Sequence, residues 1–280
     1  MHPILFKFVL PFALPVIGNE ITIYTYGFCS ALGFLFGYLL LIYRSKNYGI
    51  NPDSAGDVLF YSAIIGIIGA RLSYVTVNWN YYSENLSEIY KIYNGGIIFY
   101  GGAVSGLAAG VIICLIKKLN AFVMLDLAAP SLTLGHFFGR IGCFMYGCCH
   151  GNVCDNNHFF CAVFPKGSPA YLKQVNNGII SGYSECALPV IATQVIESVF
   201  LLMLTVFLLF YDKKIKRFKG ELFALYLLIY SIFRFTIEFF RGDYEKEFIF
   251  FNSLTFSQLI SLGLFIIALA ILINRGKTRQ

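Results

Sequence analysis

The sequence predicts an all-α polytopic membrane protein with seven transmembrane helices, and three observations carry that prediction. Of its 280 residues, 58% are hydrophobic and only 13% are charged, with a mean hydropathy of +0.69, whereas a soluble domain carries roughly a quarter of its residues as charges. Seven apolar stretches are long enough to cross a hydrocarbon core of ~30 Å as helices of about 20 residues. Basic residues gather in alternate connections between them, the pattern of cytoplasmic loops.

In order along the chain, Met1-His2-Pro3 lacks the basic start of a signal peptide. The apolar stretch from Ile4 to Ile17 is broken by Pro11 and Pro15, and is expected to lie in the membrane interface rather than to span. The spans are expected at 22–43, 57–78, 96–116, 122–144, 188–211, 219–241 and 255–274. Helices are required because a spanning segment must satisfy its own backbone, and the alternating ten-residue segments of a barrel are absent. One set of connections holds Arg44, Lys46, Lys117, Lys118, Lys213, Lys214, Lys216, Arg217 and Lys219, with Arg275, Lys277 and Arg279 in the tail. The opposite set holds Lys7, Lys91, Lys166, Lys173 and Lys246, with Arg241 at a boundary. The positive-inside rule then places the N-terminus outside and the C-terminus in the cytoplasm, which an odd number of spans requires. The net charge of +6 is therefore a topology signal and no footprint for nucleic acid. No repeat or low-complexity linker divides the chain, so residues 1–280 are expected to form one integral-membrane domain. Residues 145–187, rich in Gly, Asn, Pro and Cys, would form a small external head.

An ionisable residue within a span costs about 2.5–3.5 kcal/mol on insertion scales. Arg71, Arg140, Arg234 and Glu238 pay that cost, with Asp126 and Glu197. The second, fourth and sixth spans run outward, which puts Arg71, Arg140 and Arg234 in the outer half, with Arg241 at the same face. The odd spans run inward and bring Tyr26, Tyr100, Gln194 and Glu197 to that depth. Each arginine alone is open to a bland reading, snorkelling to headgroups or pairing within the bundle; three on separate helices at one depth point to a cavity. Arg234 and Glu238, four residues apart, share a helix face and can pair. A guanidinium stays charged and presents a planar fork of donors to phosphate oxygens, so several in a low-dielectric cleft would hold an anionic headgroup and stabilise a phosphate leaving group. Gly95-Gly96 and Gly101-Gly102 around Tyr100 leave room for a ligand or for close helix packing.

Of eight cysteines, Cys29 and Cys114 sit in apolar runs and are expected in the core. Cys143, Cys148, Cys149, Cys154 and Cys161 are crowded together. They are read as structural disulfides, for instance between Cys148 or Cys149 and Cys154 or Cys161, as buried thiols, or as a metal or redox centre. The spacing fits no standard zinc pattern and adjacent cysteines seldom share one tetrahedral ion, so no metal and no cofactor is expected. His150 and His158 are read as loop residues, and His136 as either a site or a core histidine.

The stretch His136–Gly151, HFFGRIGCFMYGCCHG, resembles the signature Gly-Arg-x-Gly-Asn-Phe-x-Asn-x-Glu-x-x-Gly of the prolipoprotein diacylglyceryl transferases, through Gly139, Arg140, Gly142, Phe144 and Gly151. Further motifs follow in the family's order: Tyr26-Gly27, Gly69-Ala70-Arg71, Asn94 to Gly102, Asp126 with Ala129-Pro130, Thr193-Gln194 with Glu197, and Arg234-Phe235, Glu238-Phe239 and Arg241-x-Asp243. The resemblance implies a seven-helix bundle of the bacterial cytoplasmic membrane. It would move a diacylglyceryl group from phosphatidylglycerol to the lipobox cysteine of a prolipoprotein signal peptide, among membrane lipids, with glycerol phosphate leaving. It further implies that Arg140 and Arg234 bind the phosphate, that Arg71, Glu238 and Arg241 shape the cavity, that Tyr26 meets the lipid, and that Gln194 and Glu197 form a wall. The family histidine falls at Tyr100, the two signature asparagines at Cys143 and Tyr146, and the glutamate at Cys148, which leaves the base for the incoming thiol unassigned; Tyr100 would serve only if neighbouring arginines lowered its pKa from about 10. Two other classes compete: an anion-lipid binder or transporter, and a thiol–disulfide oxidoreductase built on the cysteines.

Overall fold

The computed structural model describes residues 3–14, 18–91, 95–155, 160–243, 248–250 and 254–277. Pro15, Asn94, His158, Lys246 and Arg279, singled out above, lie outside the described residues. The chain opens with an antiparallel hairpin, β1 (Ile4–Leu14) and β2 (Gly18–Tyr24), followed by α1 (Thr25–Ser45), α2 (Pro52–Val77), α3 (Trp79–Glu84), α4 (Phe99–Ile116) and α5 (Ala121–Tyr146). Next come β3 (Cys161–Ala162), α6 (Pro169–Asn176), β4 (Val190–Ile191), α7 (Thr193–Lys214), α8 (Glu221–Ile237), β5 (Phe248–Phe250), β6 (Leu254–Thr255) and α9 (Phe256–Lys277). Among the described residues, seven helices are long and apolar enough to cross a membrane, so the all-α polytopic class expected from hydropathy holds.

The departures are local. The segment expected to lie in the interface rather than to span forms a hairpin, a structure its apolar run did not reveal, with Phe8 opposite Ile21 and its register shifted between Val9 and Leu14. That irregular stretch contains Pro11, which lacks an N–H and is tolerated in a strand at such a break. The fifth span begins at Thr193 rather than 188, because Val190 and Ile191 pair with Cys161 and Ala162. Hydropathy merged a short apolar strand with the helix behind it. The second span begins at Pro52, where the Asn51 side chain accepts from the Asp53 N–H at 2.8 Å and proline occupies the first turn.

The chain folds as two compact units, residues 38–128 and residues 1–37 with 129–280. In the first, α2 and α4 approach backbone to backbone. A Cβ on Gly102 would lie 3.0 Å from the Gly66 carbonyl oxygen, and one on Gly106 3.1 Å from that of Ser62. Gly101-Gly102 therefore serve helix packing, the second of the two roles open from sequence. Arg44, read above as a loop charge, is buried and donates to the Leu127 carbonyl at 2.6 Å and to the Tyr48 hydroxyl at 3.3 Å.

In the second unit, Thr205 on α7 donates to Thr133 on α5 at 2.8 Å, a polar clamp between spans. The lobe between α5 and α7 has a small core of Phe164, Ala170, Tyr171, Ala187 and Val190. Gln174 on α6 fastens it, accepting from the Leu188 N–H at 2.7 Å and donating to the Leu188 carbonyl at 3.1 Å. Cys154 and Cys161 form a disulfide with each other. Cys148 and Cys149 are free thiols, which corrects the pairing suggested from sequence.

Candidate functional site

Arg140 and Arg234 anchor the polar residues of the second unit. Arg140, on the later part of α5, reaches across to α7, where its guanidinium meets the Glu197 carboxylate at 2.8 Å. Arg234, near the end of α8, meets Glu238 at 2.6 Å one turn on, the pair expected from their spacing. Arg234 also donates to the Ser257 hydroxyl at 3.2 Å, and the Thr255 hydroxyl donates to Glu238 at 2.9 Å. Thr255 itself caps α9, since its N–H donates to the Gln258 side chain at 3.0 Å while the Gln258 N–H donates back to its hydroxyl at 3.3 Å. This reciprocal cap fixes the hydroxyl that fixes Glu238.

Two residues join the arginines. Tyr230, one turn before Arg234, lies within the electrostatic reach of Arg140, Arg234 and Glu197. His136, one turn before Arg140, feels both guanidiniums and packs edge-on against the Tyr230 ring, with centroids 5.5 Å apart. His136 is thus a buried neighbour of both arginines. Tyr230 went unnoticed in the sequence because one tyrosine among 19 carries no signal of its own.

Gln194, Glu197 and Glu238 are fully buried. Gln194 donates to the Cys148 carbonyl at 2.6 Å, and the neighbouring Thr193 hydroxyl donates to the Cys149 carbonyl at 2.7 Å. The start of α7 therefore holds the loop that leaves α5. That loop is tied on its other side too, for Gly242 donates to the His150 carbonyl at 3.1 Å and Asn152 to that of Phe240 at 3.0 Å. Arg241 sits in this seam, bridged to Gly151 and paired with Asp243 through two bonds of 2.9 and 2.6 Å. Burial alone would depress its pKa, and Asp243 more than offsets that, so the guanidinium is held charged.

Tyr26, at the start of α1, is partly exposed and lies within electrostatic reach of Cys143, Cys148 and Cys149. A close approach puts it there, since a Cβ on Gly142 would meet the Cys29 Cβ at 3.1 Å and the Tyr26 ring at 3.2 Å. The three thiols share hydrogen bonds. Cys149 is driven towards thiolate by bonds from Cys143 and then Cys148, with Arg140 and Arg241 adding to the effect, whereas Cys148 is pushed up by its bonds with Cys143 and Cys149.

Three buried atoms here find neither a hydrogen-bond nor an ion-pair partner among the described residues: the donor Arg140 Nε and the acceptors Gln194 Oε1 and Glu197 Oε1. Buried polar atoms are seldom left so, and together they ask for a ligand with both acceptors and donors. The same unit holds a cavity of about 690 Å³, lined by Ile196, Phe233, Ile237, Phe240 and the Cys154–Cys161 disulfide among others. Its walls are mainly apolar.

Arg71 and Tyr100 belong to the first unit. Arg71 is buried, and its donors go to backbone carbonyls of Glu88, Ile89, Lys91, Gly95 and Gly96 at 2.6–3.4 Å. Its guanidinium also lies 5.4 Å from the Tyr82 ring centroid and 5.9 Å from that of Tyr74. It organises the segment before α4. Tyr100, in the first turn of α4, is half-buried and packs edge-on to Phe99, with centroids 5.8 Å apart.

The sequence has counterparts among known proteins. A family model described as prolipoprotein diacylglyceryl transferase matches residues 11–274. The phosphatidylglycerol–prolipoprotein diacylglyceryl transferases of Staphylococcus aureus strains Newman and JH9 are each 34% identical over 274 residues, covering 97% of this chain and 91% of theirs. A match of that extent, on a chain with seven apolar helices, shows that this multi-pass membrane protein belongs to the prolipoprotein diacylglyceryl transferase family.

Proposed function

We propose that this protein transfers the diacylglyceryl group of phosphatidylglycerol to the lipobox cysteine of a prolipoprotein, at the outer side of the bacterial cytoplasmic membrane. The observation that carries the reading is the pair of arginines on α5 and α8, joined through Tyr230 and His136, with unpartnered polar atoms beside them. Phosphatidylglycerol offers what those atoms lack: phosphate oxygens for Arg140 Nε, and glycerol hydroxyls for Gln194 Oε1 and Glu197 Oε1. Both arginines are already paired with carboxylates, which lowers the cost of keeping them charged out of water. As the carbon–oxygen bond to the headgroup breaks, charge grows on the phosphate, and preorganised guanidiniums stabilise that charge more than the ground state.

In this reading Arg140 and Arg234 are the catalytic clamps, with Glu238 holding Arg234 in place. Gln194 and Glu197 line the wall, Tyr26 meets the lipid, and Arg241 braces the loop that carries the thiols. Arg71 shapes the segment before α4, and Tyr100 stands where the family has histidine. The apolar cavity beside Phe233 and Ile196 suits acyl chains.

The test is complementation of a strain depleted of its own diacylglyceryl transferase, read by mass spectrometry of a lipoprotein's N-terminal peptide. The expected result is a mass gain of one diacylglyceryl group with the wild-type chain and none with Arg140→Ala or Arg234→Ala. Wild-type modification by either variant would contradict the reading.

A further inference from the structure

The reading above leaves three thiols without a task. The sulfurs of Cys143, Cys148 and Cys149 all lie within 4.8 Å of one another. The objection that adjacent cysteines seldom share an ion is answered by the backbone. Gly147 turns the chain at φ +87°, and Cys149 adopts φ +60°, which swings its side chain to the same side as that of Cys148. A non-glycine residue at such an angle is strained and persists only when its surroundings enforce it. Here Thr193 and Gln194 do so, through the Cys149 and Cys148 carbonyls. None of the three thiols is in a disulfide, although Cys154 and Cys161 close by are joined.

Four bonds of about 2.3 Å around a tetrahedral zinc ion set its sulfurs about 3.8 Å apart, so little closure is needed. Three thiolates on a divalent ion leave one net negative charge. Arg140 and Arg241, each also paired with a carboxylate, both act on Cys149 and offset part of it. Three soft ligands from the protein with a fourth position to spare is the composition of a reactive zinc centre rather than a closed structural one.

We propose that Cys143, Cys148 and Cys149 bind a zinc ion and that its fourth position receives the thiol of the acceptor cysteine. The second half rests on the transferase reading; the metal site does not. A thiol bound to zinc gives up its proton to water and needs no side-chain base, which suits a chain with tyrosine at position 100. The sulfur lone pair forms a bond to the glyceryl carbon that bears the phosphate ester oxygen. The carbon–oxygen bond breaks, its electron pair stays on that oxygen, and glycerol phosphate leaves against Arg140 and Arg234. The thioether is uncharged and a weaker ligand, so it departs. No electron is gained or lost overall.

The experiment uses the full chain purified in detergent, stripped with chelator and reloaded with Zn²⁺ or Co²⁺. About one equivalent of zinc per chain is expected, lost in Cys143→Ser and Cys149→Ser and kept in Cys186→Ser and in Cys148→His, which retains a ligand. The Co²⁺ form should show thiolate-to-cobalt absorption and tetrahedral visible bands that shift with a lipobox peptide, but not with the same peptide carrying serine for cysteine. Zinc binding that Cys143→Ser leaves intact, or two of the three thiols found as a disulfide, would overturn the site; bands indifferent to the cysteine peptide would overturn the fourth position. Undiminished transfer by zinc-free protein overturns the role of the fourth position and leaves the transferase reading standing. Full zinc occupancy with no lipid transfer does the reverse.

Discussion

Arg140 illustrates how one side chain serves both the fold and the chemistry. Its partner Glu197 is fully buried, so removing the guanidinium leaves a carboxylate without its counter-charge, at a cost of about 3–5 kcal/mol. An Arg140→Ala variant therefore confounds activity with stability. Arg140→Lys separates them: the charge opposite Glu197 is kept and the planar fork is lost. Transfer is expected to fall by about 10²–10³-fold, the effect of losing a well-aimed donor, with thermal unfolding in detergent close to wild type. Transfer undiminished in Arg140→Lys would remove the phosphate clamp from the account. The motif made Arg140 and Glu197 legible in the sequence, because each is an ionisable residue in an apolar run. Tyr230, Thr255 and Ser257 were not legible. They are common polar residues whose importance lies in facing an arginine on another helix or turn.

Between α2 and α4 the close approach of backbones is set by glycines. Gly102→Leu places its side chain against the Gly66 carbonyl, and overpacking of this kind costs about 1–3 kcal/mol. The expected outcome is a lower unfolding temperature in detergent with retained activity in the folded fraction; unchanged stability would show that α2 and α4 do not meet through this face. In the lobe between α5 and α7, peptide mapping without reductant should recover the Cys154 and Cys161 peptides linked to each other. A link from either to Cys148 or Cys149 would instead restore the pairing first suggested by compartment. Elements were legible where hydropathy alone decides them, which is why all seven helices lie within a few residues of the expected spans. The hairpin at the N-terminus and the Val190–Ile191 strand were not, since a short apolar run carries no period that separates strand from helix.

Across the whole molecule, loop charge orients the seven spans with the N-terminus outside, and that orientation is a proposal with a direct check. Cys186 is an exposed free thiol in the lobe between α5 and α7. A membrane-impermeant maleimide should label it on intact spheroplasts, with Cys186→Ser abolishing that signal. Labelling only after lysis would reverse the topology. The same orientation would put the arginines of α5 and α8 on the side where exported prolipoproteins emerge. The most direct measurement of the transferase reading is made on purified protein in vesicles containing phosphatidylglycerol with a labelled headgroup and a lipobox peptide. Release of labelled glycerol phosphate one for one with diacylglyceryl thioether on the peptide is the predicted result, sharply reduced in Arg140→Lys. Neither product forming with the wild-type chain, or release of the headgroup without modification of the peptide, would contradict it.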